Sequence, residues 1–408
     1  MSSLGSDNWL GASDYEEGGE LHTRAIAFVA NVQWDALVAI ATGLRNGVSC
    51  ELSSKFSLGH FNLVRRITFA DGVSWIARIR LPELKGFFGE REALDAGRSM
   101  EIEVSTMKYL KEHTTIPLPE VFSYDFDPKN EVEAPYIFMS YIHGNVASEL
   151  RMDRGCAMDK FGTPSQDEKF RRQMADIQAQ LARLSFDRIG SIYQADNGTY
   201  EIGPEIETGQ GPWGTAENYW TAWSDHVAQV ARTDAKQEVQ QDPSFDIPAL
   251  FKELIGLYSQ PSQTRFGLVN RDFGAHNVLV DDTFNIIGVI DFDGVMTAPI
   301  ERVAQVPCDM NLDPPPPGHV DTRPAAIERI ERSLPLIAQY VEMMKMAVKE
   351  TTDGESESAA ISGSNVADAL LSDGARIVQG LIRFCSHQTF VNQPWLVAYE
   401  EYLRREQS

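Results

Sequence analysis

Gly267-Leu-Val-Asn-Arg-Asp-Phe-Gly-Ala-His-Asn-Val-Leu-Val280 and, after a polar turn, Ile286-Ile-Gly-Val-Ile-Asp-Phe-Asp-Gly294 form the stretch on which the reading of this chain turns. Two short apolar runs, Val278–Val280 and Ile286–Ile290, flank Asp281-Asp-Thr-Phe-Asn285, whose Asp and Asn residues favour turns. The pattern predicts a compact β-hairpin with Asn277 just before it, Asp291 just after it, and Asp272 in the loop ahead. Phosphoryl transfer needs such a set: a carboxylate to orient or accept a hydroxyl proton, and hard oxygen donors to hold a divalent cation beside a triphosphate. Asp-x4-Asn alone arises by chance, and all three side chains could simply cap turns. The strand–turn–strand setting with a second aspartate makes the pattern specific. For Asp293, help at the metal site and a turn cap are equally open.

Working outward, the alternation in Phe61-Asn-Leu-Val-Arg-Arg-Ile-Thr-Phe69 puts Phe61, Leu63, Ile67 and Phe69 on one strand face. Ala70-Asp71-Gly72 is a hairpin turn, and Ser74-Trp-Ile-Ala-Arg-Ile-Arg-Leu81 returns. Ile76, Arg78 and Arg80 then share a face of the return strand, opposite Trp75, Ala77 and Ile79. Arg78 is a candidate phosphate grip, since a guanidinium holds phosphate by two hydrogen bonds; Arg80 is expected on a solvated face. A helix around Met100–His113 carries the apolar stripe Met100, Val104, Met107, Leu110, and Glu103 falls on that inward side. A buried carboxylate needs a partner, and Arg78 is the one in view. A strand follows at Tyr136–Tyr141.

The later chain reads as mainly helical. Ser165-Gln-Asp-Glu168 has capping-box spacing ahead of the stripe Phe170, Met174, Ile177, Leu181, Leu184. Further helices are expected at Ala325–Met344 and Val366–Arg383, with exposed loops at Pro314–Pro317 and Thr351–Ser364. Residues 1–20 read as a loose polar tail.

The segment 267–294 resembles the catalytic and metal-binding loops of the aminoglycoside phosphotransferase and choline-kinase group, relatives of the protein kinases. The likeness extends over about residues 50–310; Phe186–Tyr193 and Gly209–Trp213 resemble the version common in fungal proteins. The resemblance implies an α+β, bilobal protein-kinase-like fold: a small antiparallel β-sheet lobe with one helix, then a larger, mainly helical lobe. The divisions expected are an N-terminal extension with a helix (1–48), the nucleotide-binding sheet lobe (49–142) and the helical lobe bearing the catalytic and metal-binding loops (143–408). By position, the resemblance makes Asp272 the catalytic base and Asn277 and Asp291 the Mg²⁺ ligands. It places Arg78 where kinases carry Lys, and it too selects Glu103 as partner. The turn Ser57–Asn62, with Ser57 and Gly59, stands in for a glycine-rich phosphate loop. Met139, Ser140, Tyr141 and Ile142 stand for the hinge that holds adenine. The implied activity is ATP- and Mg²⁺-dependent phosphorylation of a small-molecule acceptor. Where the family has His two residues before the catalytic Asp, this chain has Asn270, the one mark for the alternative of a catalytically inactive kinase-like nucleotide- or protein-binding module.

Bulk properties narrow the field further. A formal net charge of −23 argues against a nucleic-acid partner, since most of the surface repels phosphate. Cys50, Cys156, Cys308 and Cys385 lack CxxC spacing, so neither a zinc site nor a disulfide framework is expected, and a reducing cytoplasm fits. No apolar run approaches the roughly 20 residues that span a bilayer, so no membrane partner is expected. Gly209-Gln-Gly-Pro-Trp-Gly214 spells a dinucleotide fingerprint, but Pro212 removes an N–H the phosphate would need; Thr215 is read instead as a helix cap.

Overall fold

In the computed structural model the described residues are 5–82, 96–234, 255–256, 263–312, 314–315, 324–352 and 366–385. Helices α1 (Glu20–Asn31) and α2 (Trp34–Leu44) precede strands β1 (Cys50–Leu58), β2 (Asn62–Phe69) and β3 (Ser74–Arg80). Helix α3 (Ala96–His113) leads to β4 (Val121–Asp125), β5 (Tyr136–Ser140) and the short β6 (Asn145–Val146). Then come α4 (Ala147–Asp153), α5 (Pro164–Arg183), β7 (Ser191–Gln194), β8 (Tyr200–Gly203) and α6 (Ala216–Asp234). β9 (Gly267–Asn270), β10 (Val278–Val280), β11 (Ile286–Val289) and β12 (Val295–Ala298) precede α7 (Ile300–Val303), α8 (Pro324–Thr352), α9 (Val366–Ala369) and α10 (Asp373–Cys385). The chain divides into two compact units: Met1–Lys85, Leu94–Gly155 and His276–Asp293 in the first, and Gly86–Ala93, Cys156–Ala275 and Gly294–Ser408 in the second.

The first unit is built on an antiparallel five-stranded sheet in the order β1-β2-β3-β5-β4. Its register follows from the alternation in β2 and β3: Leu63, Ile67, Trp75, Ala77 and Ile79 enter one core with Phe28, Leu37 and Ala41 of the preceding helices. Gly72 takes φ 86° in the turn between β2 and β3, a conformation that costs glycine little. Phe61, read on one face with Leu63, Ile67 and Phe69, lies before the strand and is 39% exposed. The hairpin β10–β11 closes through Asp281 N–H on the carbonyl of Asn285, and β6 extends it to three strands. The N-terminal stretch is a correction to the sequence reading. Residues 6–8 and 11–14 form 3-10 turns, and Ser6 is buried, with its hydroxyl 2.8 Å from Arg66 Nη1 and 3.0 Å from the Tyr141 hydroxyl. Polar composition hid these few anchors.

The second unit pairs β9 with β12 and β7 with β8, and packs α5 against α8. α5 starts two residues earlier than its sequence suggests. Thr163 is the N-cap, and Thr163 and Gln166 form the reciprocal box, because Pro164 at the first helical position presets the helical φ. Thr215 caps α6 as read, accepting from Asn218 N–H at 3.2 Å. Helix α8 runs past the expected Met344 to Thr352; residues 316–317 and 353–364, read as loop, lie outside the described residues. Among the described residues no single helix is long and apolar enough to cross a membrane.

Inside α5, Arg171 is fully buried. Its Nε meets Asp167 at 3.1 Å, its Nη2 the Asp159 carbonyl at 2.8 Å, and its Nη1 the Met310 carbonyl at 3.3 Å. Removing one partner of a buried pair strands the other charge. Asp167→Ala should therefore lower unfolding free energy by about 3–5 kcal/mol, read from urea melts. Replacing Asp167 and Arg171 together by apolar residues should recover most of it.

Candidate active site

Strand β3 delivers two arginines to one place. Alternation turns Arg78 and Arg80 away from the Trp75 face, yet both are buried, at 8% and 4% exposed. Arg80 thus departs from the expected solvated face: Asp293 lies 3.6 Å from its Nη1, and its guanidinium sits 4.9 Å over the Phe61 ring. Those partners are distant in sequence, so alternation alone did not reveal them.

Glu103 on α3 is 1% exposed, as the helical stripe predicts, and its carboxylate stands 3.3 Å from Arg78 Nε. Arg78 Nη2 donates to Asp291 at 2.8 Å and lies 3.8 Å from Asp293. One guanidinium thereby gathers β3, α3 and the segment after β11. Burial alone would weaken its charge; Asp291, then Glu103 and Asp293, hold its pKa above the ordinary value, so it stays cationic. Burial also favours the neutral form of Asp291, but Arg78 outweighs it and holds that carboxyl below its usual range. Glu103 goes the other way, with burial pushing it up against the pull of Arg78. Asp293 is pushed up to about 8 by burial and by Asp291, and carries the proton of its hydrogen bond to Asp291.

Asp291 has φ 67°, a left-handed conformation rare outside glycine, to which Asp is better suited than most residues. A residue in such a backbone persists only where its surroundings hold it, and here Arg78 does so. Asn277, 7% exposed, receives the Ile290 N–H on its backbone carbonyl at 3.0 Å, which sets it beside the residue preceding Asp291. An amide and a carboxylate are hard oxygen donors, and Mg²⁺ is commonly held by one or two such groups while keeping several waters. The donor set fits that ion.

In the β1–β2 turn, Gly59 N–H donates to the Asn62 carbonyl at 2.9 Å, and Arg24 Nη1 holds the His60 carbonyl at 2.8 Å; Ser57 pairs with Val64 in the ladder. Asn62 Oδ1 is buried with no hydrogen-bond partner among the described residues. In the Met139–Ile142 stretch, Met139 is buried, and the N–H groups of Ser140 and Tyr141 already bond the carbonyls of Glu120 (2.8 Å) and Ser74 (3.3 Å). Those donors are committed to the sheet. Ile142 follows the strand, its side chain filling the space above Gly288, where a Cβ would stand 2.7 Å from its Cδ1.

Asp272 belongs to the second unit. It is exposed at the end of β9, and its N–H donates to Asn270 Oδ1 at 3.0 Å. Asn270, 5% exposed, therefore ties the loop itself. Arg271, which the sequence reading passed over, bonds Glu207 at 2.6 Å and the Gly294 carbonyl at 3.0 Å. Its place next to Asp272 was the available signal. A cavity of about 80 Å³ is lined by Asn270, Arg271 and Phe273 with Gln178, Arg302 and Cys308.

A family model described as the phosphotransferase enzyme family matches residues 54–301, more than half of the 408-residue chain. The chain belongs to this family. Among curated relatives, an altered inheritance of mitochondria protein 9 from Candida dubliniensis is 22% identical over 43% of this chain and 29% of its own length. A subtelomeric hrmA-associated cluster protein from Aspergillus fumigatus is 28% identical over 35% of this chain and 25% of its own. The chain thus spans less than a third of either relative. Among solved structures, a thermostable mutant of aminoglycoside phosphotransferase APH(4)-Ia is 17% identical at TM-score 0.43, covering 91% of this chain and 99% of that one. A macrolide 2′-phosphotransferase from Brachybacterium faecium is 12% identical at TM-score 0.38, covering 82% and 98%. Membership in the phosphotransferase family rests on the family model.

Asp293 gives the cluster a pH signature. A free carboxyl loses its proton near pH 4, whereas folded Asp293 keeps it to about 8. Between those values the native state binds the extra proton, so stability falls as pH rises, by at most about 1.4 kcal/mol per unit. Melting of metal-free protein from pH 5 to 9 should show this decline, and Asp293→Asn should flatten it. Equal slopes in the two proteins would remove Asp293 as the source.

Proposed function

We propose that this chain is an ATP- and Mg²⁺-dependent kinase that transfers the γ-phosphoryl group to a hydroxyl of a small-molecule acceptor. The observation that carries the reading is Arg78 held between Glu103 and Asp291, a buried cation with one acid partner on α3 and a second carboxylate after β11. Arg78 would grip the phosphates, and Glu103 would keep it extended toward them. Asn277 and Asp291 would hold Mg²⁺, which when bound neutralises charge on the triphosphate. The Ser57–Asn62 turn would border the phosphates, with Asn62 Oδ1 as a polar atom awaiting a partner. The adenine would lie near Met139–Ile142, met by carbonyls and by Ile142, since the Ser140 and Tyr141 N–H groups are engaged.

Asp272 would accept the proton of the acceptor hydroxyl as its oxygen bonds to the γ-phosphorus and the bond to the β–γ bridging oxygen breaks, releasing ADP. The exposure of Asp272 and the fixed turn around it suit a group that must meet an incoming hydroxyl. An inactive module is the less favoured reading, because Asn270 supplies the loop contact and Asp272, Asn277 and Asp291 are all present. The acidic surface, with net charge −23, supports a small-molecule acceptor over a nucleic acid.

Two measurements test the proposal. ATP with Mg²⁺ at 100 times its Kd should add about 2.7 kcal/mol of stability; a melt unmoved by ATP or GTP would sink the kinase reading. Asp272→Asn should cut phosphoryl transfer by about 10² or more while nucleotide binding survives. Unchanged transfer would take Asp272 out of the mechanism.

A further inference from the structure

Asp272 is exposed, but its neighbours are held from both sides within the second unit. After it, Cys308 N–H donates to the Phe273 carbonyl at 2.8 Å and Ala275 N–H to the Cys308 carbonyl at 3.2 Å. Before it, Arg271 reaches the Gly294 carbonyl twice, through Nε at 3.0 Å and through its own backbone N–H at 3.4 Å. What holds the Arg271 side chain in that pose is Glu207, whose Oε2 accepts from Nη1 at 2.6 Å.

Glu207 is itself rigidly presented. Glu205, 1% exposed, accepts the N–H of Glu207 at 2.8 Å and of Thr208 at 2.6 Å, while its own N–H bonds the Gln210 carbonyl at 2.9 Å. The other Glu207 oxygen accepts Trp223 Nε1 at 3.2 Å, and Arg302 Nη2 lies 3.6 Å from Oε2. Burial alone would raise the Glu207 pKa; Arg271 and Arg302 override it and hold the group ionised. Two acids and two arginines packed together give little net stability over an apolar filling. What such an arrangement does provide is direction, since a carboxylate fork fixes a guanidinium more narrowly than apolar packing could.

We propose that Glu207 is a positioning residue for phosphoryl transfer: by clamping Arg271 onto the Gly294 carbonyl, it fixes the backbone that carries Asp272. The role rests on the reading of Asp272 as proton acceptor. Glu207 touches no reacting atom; it acts through Arg271.

Glu207→Gln keeps the size and an acceptor for Trp223 while removing the charge. Two readouts decide its effect. In hydrogen exchange, amides of residues 268–275 should exchange roughly 10-fold faster than in the parent protein, with residues 136–140 unchanged. In slow MgATP hydrolysis, with water as acceptor, kcat should fall roughly 10- to 100-fold, the scale of a small misplacement, with the KM for ATP unmoved. Glu207→Asp, which restores the charge, should recover part of both. Unchanged exchange at 268–275, or a rise in KM at constant kcat, would overturn the proposal. If Glu207→Gln does not fold, Arg271→Lys, which keeps the charge but loses the fork, carries the same two readouts. A parent protein that neither binds nor hydrolyses ATP would defeat the kinase reading alone; the exchange comparison would still decide whether Glu207 holds the loop.

Discussion

A single guanidinium organises the first unit. Arg78 comes from the middle strand of five, and its partners arrive from helix α3 and from the segment after the β10–β11 hairpin. Burying that cation without carboxylates would be prohibitive, and burying Glu103 or Asp291 without the cation would neutralise them. The charge on each group therefore depends on the others being near. The register of β3, the rotation of α3 about its axis and the left-handed backbone at Asp291 are all conditions on that one cluster. Asp293 and Arg80 complete it, and the shared proton on Asp293 relieves crowding among the acids.

The second unit carries a charge network of its own, with a different character. Arg171 and Asp167 serve the packing of α5, where every polar atom of the guanidinium ends on a nearby oxygen. The pair of Arg271 and Glu207, by contrast, ties together a loop after β8, a tryptophan of α6 and the residue before β12. The first could be exchanged for apolar side chains with the helix intact. The second defines where a backbone lies, which no apolar residue specifies as narrowly.

How much of this was legible follows from the range of the interactions. The hairpin at 278–289, the alternation of β2 and β3 and the inward turn of Glu103 are local patterns with periods of two or 3.6 residues, and they appear where the sequence puts them. The capping box was displaced from Ser165 to Thr163 because proline at the first helical position overrode an equally good spacing two residues on. Arg80 was misjudged as solvated because its burial depends on Phe61 and Asp293, the latter more than two hundred residues away. Glu207 left no trace in the sequence: nothing local distinguishes it from the other acids of an acidic chain, and only the fold brings Arg271 to it. The N-terminal turns were lost for a related reason, since one buried serine and one glycine packed on Phe56 suffice to anchor a polar segment.

Asn270 has a consequence for how the loop responds to its surroundings. The amide oxygen that receives the Asp272 N–H belongs to a side chain that gains and loses no proton in water. An imidazole in that place would change its donors and acceptors across the range from mild acid to neutrality. With an amide there, the tether is the same hydrogen bond in an acidifying cell as in a resting one, and the turn it holds is indifferent to the change.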